Sequence, residues 1–207
     1  MRLAIISLIF LLGGCASTFD SESPAVDEYA LKTMSGGAAL VSTAPISVPI
    51  QLMRIEAAPG YDTRRILVTH PDGRLDVIAD ARWVGPIPSL LEAAVLDQLR
   101  AAGFDVHPSS AALATPYSLR VTVRRFDAQY AAGEDSGRVE MPTARVVLDV
   151  TLIRRRDRLP VATWNVSGAT LATENRRTMI VSALGSATSF ALTGLANELS
   201  AVTALKQ

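Results

Sequence analysis

Few residues in this chain have chemistry to offer. Its 207 residues include one cysteine, Cys15, and two histidines, His70 and His107. Catalysis and metal binding need reactive groups that converge, and the familiar spacings are missing. Leu184-Gly-Ser-Ala-Thr188 lacks the second glycine of a Gly-x-Ser-x-Gly elbow, and it falls in a stretch of helical pattern where that strand-to-helix turn cannot form. No phosphate loop, dinucleotide fingerprint or zinc spacing occurs. His70 stands beside the Pro71 turn and His107 just before Pro108, at the ends of expected strands. Such places suit surface or loop histidines unless folding brings a nucleophile beside one of them. The expectation is a non-enzyme without metal or cofactor, acting by binding.

Three stretches carry groups suited to binding. Arg154-Arg155-Arg156-Asp157-Arg158 gathers four guanidinium groups. It offers Arg155, Arg156 and Arg158 to phospholipid or to a partner's carboxylates; as a solvated turn, its charge would instead keep a strand edge from pairing. Arg82-Trp83 pairs the two residue types enriched at interface hot spots, although burial of Trp83 under the following helix is the better account of it. The third stretch, Thr178 to Asn197, has no charged residue, yet Ser182, Gly185, Ser186, Thr188, Ser189, Thr193 and Gly194 make it too polar for a dedicated membrane span. A helix uncharged all round is covered all round by protein. That cover is either its own sheet or a second subunit meeting Ser189 and Thr193.

Cys15 is defined by what precedes it. Met1-Arg2 is a short positive start, Leu3 to Leu12 an apolar run, and Gly13-Gly14 a small pair, in the order of a secretory signal. Ten residues at 1.5 Å each span about 15 Å, half of a hydrocarbon core of about 30 Å, so the segment is too short to stay as a membrane helix. Leu12-Gly13-Gly14-Cys15 resembles the lipobox of bacterial lipoproteins, in which the cysteine sulfur receives a diacylglycerol and the new amino terminus is acylated. The resemblance implies a signal peptide over 1–14, a lipidated tether over 15–27 and a domain over 28–207. Acyl chains at about 0.8 kcal/mol per buried CH₂ anchor such a chain firmly. Ala16 stands where, in such lipoproteins, Asp retains the protein in the inner membrane. The resemblance therefore implies an outer-membrane anchor with the domain on the periplasmic face.

The domain must fold on its core alone, because an acylated Cys15 leaves no thiol for a disulfide or a thiolate. About half of the residues are apolar, within the globular range, and the length favours one domain. Acidic and basic residues balance, so no global field recruits nucleic acid. Tyr29 and Leu31, two apart, suit a first short strand, and Ser35 to Ala44 reads as loop. Ile46, Val48, Ile50 and Leu52 alternate as in a strand, with Pro49 predicting an edge or a bulge. Ile66–Thr69 and Leu75–Ile78 around Pro71-Asp-Gly73 predict a hairpin. Ser89 to Gly103 predicts a helix with a Ser89/Glu92 capping box, a stripe of Leu91, Val95, Leu99 and Ala102, and a left-handed stop at Gly103. Alternation at 119–124, 146–152 and 162–166 predicts three antiparallel strands, the last two joined at 155–158. Gly133 to Gly137 reads as an exposed loop. From about Thr173 to Leu205, apolar residues at spacings of three and four predict a long final helix. The fold class expected is α/β: one domain with a mixed, largely antiparallel sheet packed by two main helices.

Several of these segments together resemble a known family. Tyr29-Ala-Leu31, the strand with Val48-Pro49-Ile50, Tyr61-Asp-Thr-Arg-Arg-Ile66, Arg74-Leu75 and Ala81-Arg-Trp83 before a Leu-rich helix are similar to the auxiliary lipoproteins of bacterial ABC transport systems. These are the Pqi-type lipoproteins that accompany MCE-domain proteins. The chain departs from the pattern in having Pro59 before Tyr61 instead of a proline close after it. The resemblance implies a partner, an MCE-domain protein whose complex includes a permease and an ATPase, and a role in moving lipids or other hydrophobic molecules between membranes. It also implies a possible homo-oligomer at the end of the MCE assembly. A lipoprotein that activates or scaffolds a cell-wall or outer-membrane assembly machine is the alternative that the residues alone leave open.

Overall fold

The structure, a computed structural model, describes residues 26–33, 46–111, 113–131 and 141–204. Cys15, the expected tether as far as residue 25, and the loops expected over 35–44 and 133–137 lie outside these residues, while Asp27, expected at the end of the tether, opens the first strand. Within them the order is β1 (Asp27–Tyr29), β2 (Ile46–Leu52), β3 (Glu56–Ala57), β4 (Arg65–Thr69), β5 (Leu75–Trp83), α1 (Ile87–Ala101), β6 (Phe104–His107), β7 (Tyr117–Gln129), β8 (Thr143–Arg154), β9 (Leu159–Leu171) and α2 (Arg177–Ala204). The strands form one mixed sheet, so the expected α/β class holds.

The sheet is organised by β7. On one edge it pairs antiparallel with β8 along its whole length, and β8 pairs likewise with β9. On its other edge it meets three strands in succession, all parallel: β2 at Tyr117–Leu119, β3 at Thr122–Val123 and β4 at Ala128–Gln129. β6 extends the sheet beyond β2, and β5 then β1 extend it beyond β4. Pro49 lies where the β2–β6 register shifts, between Ile46 and Ile50, which is the bulge its missing amide predicts. The β4–β5 hairpin also forms as expected. Its turn closes through the Gly73 amide on the His70 carbonyl, with Gly73 at φ +83°. β5 runs five residues beyond the predicted end at Ile78, because a wide irregularity, with Asp80 at φ +52°, lets the strand resume pairing at Arg82.

Alternation decides what the sheet buries. Ala144, Val146, Leu148, Val150 and Leu152 of β8 are buried, as are Leu119, Val121 and Val123 of β7 and Val166 of β9. The alternate residues of β9, from Thr163 to Leu171, are mostly exposed. Both helices contact the sheet and touch each other; α2 lies on β8 and β9, and α1 beside β6. The predicted stripe of α1 is buried in full, with Leu91, Val95 and Leu99 at 0 % exposure, and Phe104 packs into the same core. Gly103 takes φ +87°, the left-handed stop. The start of α1 differs from expectation. It begins at Ile87 after Pro86, and no side-chain cap bond forms. Two prolines near the first turn preset the backbone, and Pro88 has no amide to satisfy, so the Ser89/Glu92 box has no role to fill. The Ser89 amide itself donates to the Pro86 carbonyl, which puts Ser89 inside the helix.

Ile180, Leu184, Ala187, Ala191, Leu195 and Leu199 of α2 are all buried. By length and hydropathy this helix matches a membrane span, but it is a core helix here, laid along the sheet. Glycine permits two close approaches. A Cβ on Gly168 of β9 would stand 1.9 Å from the Ala187 carbonyl oxygen, so backbone meets backbone there. On α2, a Cβ on Gly185 would stand 2.1 Å from the Lys32 carbonyl oxygen, so the chain leaving β1 crosses the helix at that point.

One buried charge escapes the sequence pattern. Asp127 of β7 is fully buried and accepts two hydrogen bonds from Arg125, at 2.7 and 3.1 Å, with the Thr69 hydroxyl donating a third. Tyr61 closes over this group. Burial raises the pKa of its phenol, and the Asp127 charge raises it further. The network pins the 58–64 loop to the sheet.

Two predictions test this packing. Gly168→Val should abolish folding, since α2 cannot retreat without uncovering β8 and β9, whereas Gly194→Ala, with nothing near its Cβ, should raise stability by up to about 1 kcal/mol. Denaturant melts of the two variants measure both. In the same assay Arg125→Ala should cost about 3–5 kcal/mol by stranding the Asp127 charge, while Arg124→Ala, which breaks an exposed pair with Asp149, should cost less than about 1 kcal/mol.

Candidate functional site

The residues singled out from the sequence fall in three places. The first is a junction at the sheet edge. β1 lies parallel to β5 with Glu28 opposite Arg82. Arg82 holds the Glu28 carboxylate from two nitrogens, at 2.8 and 2.9 Å, and Arg64 adds a bond at 3.0 Å. The Arg82 bond, then the two positive charges, keep the Glu28 pKa below the usual carboxylate range. Trp83 is 0 % exposed and packs edge-on against Phe126, with ring centroids 5.7 Å apart. It therefore belongs to the core and not to a partner surface; Arg82 is the exposed member of the pair.

Backbone bonds knit the same junction. The Trp83 amide donates to the Arg64 carbonyl at 2.7 Å, and Arg64 Nε returns a bond to the Trp83 carbonyl. The Val84 amide reaches the Tyr29 carbonyl, and the Ile87 amide, at the start of α1, reaches the Thr63 carbonyl. Tyr29, the 61–66 segment and Ala81–Trp83, far apart in sequence, thus meet at one point. Three of the segments that carry the family resemblance thus fasten β1, the 61–64 loop and α1 to one another.

The second place is the turn between β8 and β9. Arg154 donates to both oxygens of Asp157, with Nε at 2.9 and 3.2 Å, and the Leu159 amide donates to Oδ1 at 3.2 Å. Asp157 is therefore held below its ordinary pKa, first by the Arg154 bond, and Arg154 is raised in turn. Arg158 occupies the turn at φ +59°. Arg155 is tied down: its amide donates to the Pro116 carbonyl and its Nη1 to the Thr115 hydroxyl, at 2.9 and 3.1 Å. Between the turn and the chain entering β7 is a cleft of ≈ 530 Å³, lined by Ala114, Thr115, Pro116, Tyr117, Arg154, Arg155 and Arg156.

The third place is α2. Ser189 is 8 % exposed and its hydroxyl donates to the Gly185 carbonyl, while Thr193, one turn on, is half-buried. Phe190, which no sequence argument had marked, is 60 % exposed. The fold supplies most of the cover that an uncharged helix needs, but it leaves Phe190 bare.

The histidines sit where expected. His107 ends β6 with Nε2 2.8 Å from Asp105. His70 stacks on Tyr130 at 5.9 Å, with Nε2 3.5 Å from Asp76, beside Asn175 and Arg177 in a shallow pocket. Among the described residues no three His, Cys, Asp or Glu side chains are grouped to hold a metal ion. Arg125 and Asp127 carry no expectation from the sequence pattern, and Tyr61 enters only through the family resemblance. The signal was the Arg-x-Asp spacing, which puts both side chains on one strand face, but the strand had been expected to end at Arg124.

Comparison with known proteins agrees with this architecture. No curated protein matches the chain. Protein XCC0632 from Xanthomonas campestris shares its fold with a TM-score of 0.71 at 23 % identity, over 87 % of this chain and 97 % of that one. An uncharacterized protein of solved structure matches with a TM-score of 0.62 at 14 % identity, over 83 % of this chain and 97 % of its own. The model of the ABC-type transport auxiliary lipoprotein component matches residues 29–198, from the junction tyrosine to the last turns of α2, and this chain belongs to that family.

Proposed function

We propose that the protein is an outer-membrane-anchored, periplasmic subunit that assists an ABC transport system by binding a protein partner, without turnover. The observation that carries this reading is the family match over residues 29–198, with the signal and lipobox ending at Cys15 a short stretch before it. Acylated Cys15 holds the domain at the membrane, and Ala16 directs it to the outer one. The partner is an MCE-domain protein served by a permease and an ATPase, and the cargo is lipid or another hydrophobic molecule. This chain supplies no energy to the transport. Its part is to receive or hold the distal end of the MCE assembly.

A ring of copies suits the end of a symmetric tube, and such a ring needs two different patches of each subunit to meet. Thr193 and Phe190 lie three residues apart on one face of α2, and the exposed ring of Phe190 makes that face the subunit contact in this reading.

Cys15→Ser should give a folded protein that incorporates no labelled fatty acid and leaves the membrane fraction, and wild-type protein should fractionate with the outer membrane. Wild-type protein should co-purify with an MCE-domain protein; label retained on the serine variant, or no MCE partner, would count against the anchor and the transport role respectively. Phe190→Arg should stay folded and become monomeric by light scattering, whereas Ser189→Arg should unfold the domain by circular dichroism. An unchanged oligomeric state in Phe190→Arg would remove α2 from the subunit contact.

A further inference from the structure

One end of the β7–β8–β9 block combines exposed leucines with unbalanced positive charge. Leu159, first in β9, is 53 % exposed, and Leu113, in the segment leading into β7, is 49 % exposed. The two segments are joined there by the bonds from Arg155 to Thr115 and Pro116. Four arginines share this turn with one carboxylate. Asp157 is engaged by Arg154, and Arg156, 77 % exposed, stands 3.7 Å from it. Arg155, Arg156 and Arg158 thus present a local excess of positive charge on a chain that is neutral as a whole. The turn is also stiff, because Asp157 closes it from both Arg154 and the Leu159 amide. Arg156 and Arg158 stand exposed at its tip, while the Arg155 guanidinium is bonded to Thr115 at its base.

We propose that this end of the domain docks on the anionic headgroup surface of the membrane, with the turn arginines on lipid phosphates and Leu113 and Leu159 entering the headgroup layer. Guanidinium groups match phosphate oxygens in pairs, and apolar side chains among cationic ones suit an interface that is charged outside and oily beneath. The length of the tether supports this occupant. Residues 16 to 26 reach about 40 Å at full extension. They enter β1 near the end of the sheet where β7 finishes, whereas the turn lies where β7 begins. The turn therefore meets the membrane that holds Cys15 with the tether extended alongside the sheet, and the anchor still raises the effective concentration of lipid. The nearness rests on the lipid-anchored reading; the affinity of the turn for anionic lipid does not. Docked in this way, the domain lies against its membrane instead of swinging on the tether, with one fixed face presented to the periplasm.

The test uses the chain from residue 15 onward with Cys15→Ser, which keeps every described element and has no acyl group. It is sedimented with vesicles of phosphatidylethanolamine alone or mixed with phosphatidylglycerol. The expected result is binding to the mixed vesicles only, weakened by added salt. Binding should fall by about fivefold for each of Arg155, Arg156 and Arg158 replaced by Ala, and also fall for Leu159→Asp. Arg74→Ala, in the β4–β5 turn, should leave it unchanged. Circular dichroism checks that each variant is folded, and Arg156→Ala with Arg158→Ala serves if the loss of Arg155 disturbs the turn. Equal binding to both vesicle types, no binding to either, or full binding by the arginine variants would overturn the proposal. Capture of an acidic protein without vesicle binding would assign this end to a protein partner instead. A failed fatty-acid label on Cys15 would leave this result standing, since no acyl chain takes part.

Discussion

The structure depends on how closely α2 lies on the sheet. A helix of 28 residues with an almost continuous apolar and small surface must be covered along its length, and the sheet offers β8 and β9 for the purpose. Contact is made through backbone at Gly168, where any side chain would collide with the Ala187 carbonyl. Small residues on α2 at 183, 187 and 191 let the strands come near, and dispersion between well-packed atoms grows as the gap closes. With α2 in place the inner faces of β7 and β8 are dry. α1 then completes the cover beside β6, so the two helices share one side of the sheet.

Much of this was legible in the sequence because burial leaves periodic marks. The stripe Leu91–Val95–Leu99 and the series from Ile180 to Leu199 identified the two helices and their buried faces, and alternation with one lapse at Val147 identified the inner residues of β8. Three things were not legible. The start of α1 was misplaced because Ser89 and Glu92 have cap spacing, while the prolines that do the same work locally carry a weaker signal. β7 was cut short at Arg124 because a register shift between Val123 and Arg125 breaks the alternation, although the strand continues to Gln129. The parallel pairings of β2, β3 and β4 with one edge of β7 depend on contacts between distant segments, which no local pattern records.

The candidate site divides along the same line. The lipobox reading of Cys15 rests on linear sequence alone, since no fold is needed to recognise it, and Cys15 lies outside the described residues; the family match begins at residue 29. Arg82 and Trp83 were noticed for the right reason, an unusual pair before a helix, but the fold uses them to close the junction of β1, the 61–64 loop and α1. Ser189 drew attention as a polar residue in an uncharged helix; it satisfies its hydroxyl on the Gly185 carbonyl and stays inside. Phe190 was passed over because an aromatic residue in an apolar helix looks like core. Only the geometry shows that it is not.

The way the chain enters the domain has a mechanical meaning. Under the proposed reading, with Cys15 held in a membrane and a partner gripping the domain, the chain would be under tension and the pull would arrive at Asp27. There β1 lies parallel to β5 over three residue pairs, Glu28 is clasped by Arg64 and Arg82, and Arg177 at the start of α2 reaches both Asp27 and the Asp80 carbonyl. A force along the strand axis stretches these bonds side by side, in shear, where they resist together; a force across the strand would peel them one after another. Just beyond, the Lys32 carbonyl rests on α2 at Gly185. The first described segment is thus strapped to the last helix of the fold, so a pull applied at Asp27 would be shared between the edge of the sheet and its core before any strand gives way.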